Sequence, residues 1–166
     1  GITVVNEGAI AIDGFNNYGI LGQSRGTIAD VTIGNLGSIT LTNGGNSTGL
    51  FGFQQARSAD AFIGNSGAIS GSGLLMRGIG IDTDAGDADG VSIFEMINEG
   101  DLVMGAGNAL NIVADDIVIT NSGILSTVLA SSDVVVLEAI RDDDGVARID
   151  FTTSGDIIAT GPDSSG

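Results

Sequence analysis

The chain has 166 residues, a net charge of −16 and a mean hydropathy of +0.35. It is hydrophobic enough to build a core, which excludes a disordered acidic tail, because disorder needs low hydrophobicity together with the charge. All five basic residues are arginines (Arg25, Arg57, Arg77, Arg141 and Arg148). Nucleic acid and anionic membrane surfaces are therefore set aside as partners, since both require a basic face.

The six copies of the repeat follow in chain order. The first predicted strand carries Ile2 and Val4, meets Asn6-Glu7-Gly8, and resumes at Ile10. A looser strand follows at Gly19-Ile20-Leu21. The second copy has Val31 and Ile33, then Asn35-Leu36-Gly37, Ile39 and Gly49-Leu50-Phe51. The third has Ala61 and Ile63, then Asn65-Ser66-Gly67, Ile69 and Gly78-Ile79-Gly80-Ile81. The fourth has Phe94 and Met96, then Asn98-Glu99-Gly100, Leu102 and Ala109-Leu110-Asn111-Ile112. The fifth has Ile117 and Ile119, then Asn121-Ser122-Gly123, Leu125 and Val134-Val135-Val136-Leu137. The sixth has Ile149 and Phe151, then Thr153-Ser154-Gly155 and Ile157, with threonine in the asparagine position.

The intervals are 29, 30, 33, 23 and 32 residues. The motif alone is weak evidence, but every aligned position four and two residues before the Asn, and four after it, is apolar. Apolar residues alternating with mixed ones are the period of a strand. Asn and Gly tolerate left-handed backbone angles, which marks Asn-x-Gly as a tight bend. One such repeat cannot bury its apolar face alone, so neighbours must stack. The predicted fold is an all-β, right-handed parallel β-helix, or β-solenoid, of about six coils with three short strands each. Residues 1–166 form a single segment, and the opening in mid-pattern suggests a piece of a longer polypeptide.

Composition agrees with a thin, regular core: aromatic residues make up 4% and Trp is absent. With 28 glycines and one proline, collagen is excluded, because it needs abundant proline and glycine at every third position. Cysteine is absent, so no disulfide framework exists. The longest uncharged stretch, 31–56, is broken by Gly, Asn, Ser and Thr, so no membrane-inserting helix is expected.

The Asn column, with Gly8, Gly37, Gly67, Gly100 and Gly123 beside it, has two readings. The side chains of Asn6, Asn35, Asn65, Asn98 and Asn121 form a hydrogen-bonded ladder along the rod, or they serve only the bend.

The copies at 31–40 (Val-Thr-Ile-Gly-Asn-Leu-Gly-Ser-Ile-Thr), 61–70 and 118–126 resemble the Asn-x-Gly-x-Ile repeats of bacterial autotransporter passengers and related large surface adhesins. The resemblance covers essentially the whole chain. It implies an extracellular or cell-surface rod, without naming a ligand. The membrane barrel that anchors that family is not among these residues, so the secretion route stays open.

The sharpest local feature is the acidic run Asp82, Asp84, Asp87 and Asp89, with Gly86 and Gly90. Alternate carboxylates with glycine suit an oxygen-rich Ca²⁺ site, and a solvated loop is the alternative. Asp142-Asp143-Asp144-Gly145, near Asp150, is a weaker candidate. Asp30, Asp60 and Asp116 share a column and read as a solvated face. Asn43-Gly44-Gly45-Asn46 and Gly71-Ser72-Gly73 lack the lysine of a phosphate loop.

The sequence has no His, Cys or Lys. A His-based triad, a thiol nucleophile and a Schiff base are therefore excluded. The expectation is no enzyme but a structural, adhesive rod segment. Its partners would be neighbouring coils or like subunits, and a glycan or host surface. The alternatives are a filament subunit stacking end to end and a glycan-active β-helix enzyme or phage tailspike fragment.

Overall fold

The computed structural model describes residues 1–24, 30–42, 45–54, 60–83, 92–129, 132–141, 145–163 and 165–166. Its strands follow the chain coil by coil. The first coil is β1 (Ile2–Asn6), β2 (Ile10–Asp13) and β3 (Tyr18–Ser24), and the second is β4 (Val31–Asn35), β5 (Ile39–Thr42) and β6 (Thr48–Gln54). The third is β7 (Ala61–Asn65), β8 (Ile69–Gly71) and β9 (Met76–Thr83). The fourth is β10 (Ile93–Asn98), β11 (Leu102–Met104) and β12 (Gly107–Ala114). The fifth is β13 (Asp116–Asn121), β14 (Leu125–Thr127) and β15 (Val135–Ala139), and the sixth is β16 (Arg148–Thr153) and β17 (Ile157–Ala159).

Corresponding strands pair in parallel into three sheets. Sheet A joins β1, β4, β7, β10, β13 and β16, and sheet B joins β2, β5, β8, β11, β14 and β17. Sheet C joins β3, β6, β9, β12 and β15. The chain is therefore an all-β parallel solenoid with three strands per coil.

The register follows the columns of the sequence. Ile2 pairs with Val31, Val31 with Ala61, Ala61 with Phe94, Phe94 with Ile117 and Ile117 with Ile149. A one-residue slip would turn each inward side chain to solvent, so burial itself fixes this pairing. Ile33, Ile39, Leu50, Ile63, Ile69, Ile79 and Phe94 are essentially inaccessible to solvent. Phe94 fits because its column neighbour Ala61 is small. The sulfurs of Met76 and Met104 fill the space beside Gly71, at 2.7 and 3.1 Å from where a Cβ would stand. Met suits such gaps because its thioether is unbranched and polarisable.

The bend differs from expectation in one respect. Neither the Asn nor the Gly of any copy has a positive φ; among the described residues those angles occur at Asn16, Asn46, Leu75, Asp163, Gly14 and Gly107. Glycine is needed in the motif for close approach instead. A Cβ at Gly37 would collide with the carbonyl oxygen of Gly8, and one at Gly67 with that of Gly37.

Candidate functional site

The Asn column forms a continuous ladder. Asn6 Nδ2 donates to Asn35 Oδ1 at 2.8 Å, Asn35 to Asn65 at 2.7 Å, Asn65 to Asn98 at 2.7 Å and Asn98 to Asn121 at 2.6 Å. In three of these residues the second amide hydrogen reaches back to the bend: Asn6 to the Gly8 carbonyl, Asn98 to that of Gly100 and Asn121 to that of Gly123. Asn35, Asn65, Asn98 and Asn121 are buried. A primary amide supplies two donors and an acceptor, so it serves its own bend and the coil beyond together. The ladder reading therefore holds, and the reading in which the amides serve only the bend does not.

The aspartate column is open to solvent at Asp30 and Asp60, as a solvated face should be, and its carboxylates also accept backbone donors. The carboxylate of Asp30 accepts the backbone N–H of Asp60 at 3.2 Å, and that of Asp60 accepts the N–H of Ile93 at 3.1 Å. Asp116 accepts the N–H of Arg148 at 3.0 Å. Each carboxylate satisfies a donor of the following coil where the chain enters sheet A, so the charges meet peptide dipoles. At the same junction Asp115 is buried, and one of its oxygens accepts both the N–H and the hydroxyl of Ser92, at 2.7 and 2.9 Å. Neither role was visible in the sequence, which shows the column but not the partner.

The proposed calcium ligands Asp84, Asp87 and Asp89 lie outside the described residues. Asp82 is placed on β9, opposite Val113. Asp142, Asp143 and Asp144 also lie outside them, as do Asn43 and Gly44. Arg148 pairs with Asp150 at 2.6 Å, and Arg141 approaches Asp116 at 4.0 Å. Among the described residues, no three acidic side chains are grouped to hold a metal ion.

The outer face of sheet A carries a feature that the motif search passed over. One outward column runs Val5, Gly34, Gly64 and Ile97. The two glycines leave a groove of about 300 Å³ with Val5 and Ile97 at its ends. Phe62 stands on one side, and Leu36, Ser66 and Glu99 on the other. At ~4.8 Å per strand, the ends are about 14 Å apart along the rod. The signal in the sequence was the residue just before the Asn, glycine in two successive copies, hidden among many turn glycines.

Comparison with known protein families, curated proteins and solved structures finds no match for this chain.

Proposed function

We propose that this chain is a structural, adhesive rod segment of a bacterial surface protein, working outside the cell. The observation that carries the reading is the unbroken Asn ladder from Asn6 to Thr153. The buried amides are committed to holding coil on coil, which makes an extended, repetitive body suited to reach and contact. The absence of His, Cys and Lys from the sequence supports contact rather than chemistry.

The inward residues of the outer coils favour a second reading. Val4, Ile10 and Ile12 in the first coil, and Leu137, Phe151 and Ile157 in the last two, are only partly buried, unlike their counterparts between. A like subunit stacked end to end would cover them, because open strand edges template pairing.

Electron microscopy of the purified chain at several concentrations, with and without Ca²⁺, tests both readings. Short separate rods are expected for the segment, together with adherence of chain-coated beads to a glycan-bearing surface. Long fibres with a ~4.8 Å axial repeat would replace it with the filament. Release of sugars from a polysaccharide panel would replace it with the enzyme.

A further inference from the structure

Most glycines among the described residues are explained by crowding. A Cβ at Gly19 would stand 2.5 Å from the Gly49 carbonyl oxygen, and one at Gly49 would stand 2.6 Å from Ile69. Gly34 and Gly64 have no such reason. A Cβ at Gly34 would meet Val5 at 3.5 Å, and one at Gly64 would meet Phe62 at 3.4 Å; both are ordinary contacts. Neither φ is positive. Glycine weakens a strand interior, and where the chain itself does not require it, it marks a place that another molecule approaches.

A second departure from good local chemistry lies where sheet B turns into sheet C. Asn16 and Asn46 occupy equivalent positions in the first two coils with φ of 56°, and Asn46 donates to Asn16 at 3.0 Å. In the third coil that position is Leu75, with φ of 54°. Asn tolerates the left-handed region, whereas Leu is strained there. Leu74 and Leu75 are 65% and 71% exposed, and Phe15, 73% exposed, lies over Gly45, which pairs with Leu74. These residues form an apolar ridge over the first three coils.

We propose that the ridge of one rod seats in the groove of a second copy of this chain, so that rods associate side by side. Ridge and groove match in chemistry, since exposed apolar side chains form the one and largely apolar residues line the other. Their charges are complementary: Glu99 lines the groove, and Arg77 follows the ridge leucines by two positions. The ridge stands at the junction of sheets B and C and the groove on the outer face of sheet A. One contact therefore leaves each rod with an unused ridge or groove, so the association is head to tail and continues beyond a pair. A groove of about 300 Å³ takes only a few side chains, so the contact is weak and shows at high concentration.

Sedimentation of the full chain from micromolar to millimolar concentration tests this. The unaltered chain should grow in mass with concentration. Gly34→Val with Gly64→Val fills the groove, and Leu74→Ser with Leu75→Asn removes the ridge. Each double variant keeps backbone-compatible residues, should retain its circular dichroism, and should stay monomeric alone. Mixed in equal amounts, one supplies the ridge and the other the groove, and they should form pairs and nothing larger. A chain that stays monomeric throughout, variants that associate as the parent does, or a mixture that does not pair would each overturn the proposal. None of these outcomes touches the rod fold.

Discussion

The side-chain amide of Asn121 donates to the hydroxyl of Thr153 at 3.0 Å, and that hydroxyl donates to the carbonyl of Gly155, also at 3.0 Å. Asn has two hydrogens for these tasks and Thr has one. Thr153 therefore accepts the ladder and closes its own bend, but has no hydrogen left to send onward. The ladder has a direction, from Asn6 toward Thr153, and Thr153 is its last member.

Replacing that acceptor tests the account. Thr153→Val leaves the Asn121 hydrogen without a partner and should lower stability by about 1 kcal/mol, the net worth of one such bond. Thr153→Asn supplies both functions and should be neutral or better. Urea unfolding of the two variants checks this; equal losses would show that the hydroxyl has no part in the ladder.

The ladder should matter most in its middle. Asn65 accepts from Asn35 and donates to Asn98 while buried, so Asn65→Ala breaks two bonds and strands two groups. The expected loss is about 2–4 kcal/mol. Asn6→Ala, at a partly exposed end, should lose about 1 kcal/mol. Thermal melts of the pair would show the difference, and matching melts would refute it.

The glycines of the motif offer a sharper contrast. A Cβ at Gly67 would collide with the Gly37 carbonyl oxygen, whereas one at Gly8 would meet nothing within 4 Å. Gly67→Ala must push two coils apart and should cost several kcal/mol, while Gly8→Ala should stay within about 0.5 kcal/mol of the parent. Soluble yield and melting temperature of the two variants decide it.

Sheet A and sheet B were legible in the sequence because the demands that define them are local and recur. Ile33 and Ile63 alternate with outward residues, and the register pairs them as the columns do. The bend was located correctly by Asn35 and Gly37 but explained by the wrong property, since close approach between coils is a tertiary fact. The carboxylates of Asp30 and Asp115 were unreadable for the same reason: their partners, the N–H groups of Asp60 and Ser92, lie 30 and 23 residues away. The groove escaped notice because Gly34 and Gly64 look like any other glycine until their surroundings prove roomy.

Asp115 is a support for the passage from sheet C to sheet A. Asp115→Ala would orphan the N–H and the hydroxyl of Ser92, both buried with it. The expected destabilisation is roughly 2–3 kcal/mol, because bonds to a charged acceptor are the stronger kind. Asp115→Asn keeps an acceptor oxygen and should lose less. Hydrogen exchange at the Ser92 amide reads the effect at the site: unchanged protection in the Ala variant would show that the bond contributes nothing.

Gly34→Val and Leu75→Asn should each make the isolated rod more stable, measured at concentrations too low for association. Valine removes the entropic penalty of glycine in a strand and packs beside Val5, a gain of roughly 0.5–1 kcal/mol. Asparagine relieves the left-handed strain at Leu75, worth about 1–2 kcal/mol, offset in part by whatever the exposed leucine contributes. Two positions that each destabilise the folded chain, and that both lie on apolar surface, are where selection for something other than folding is expected. If both substitutions instead lower the melting temperature, the native residues serve the fold itself, and the case for a surface made for contact loses its thermodynamic ground.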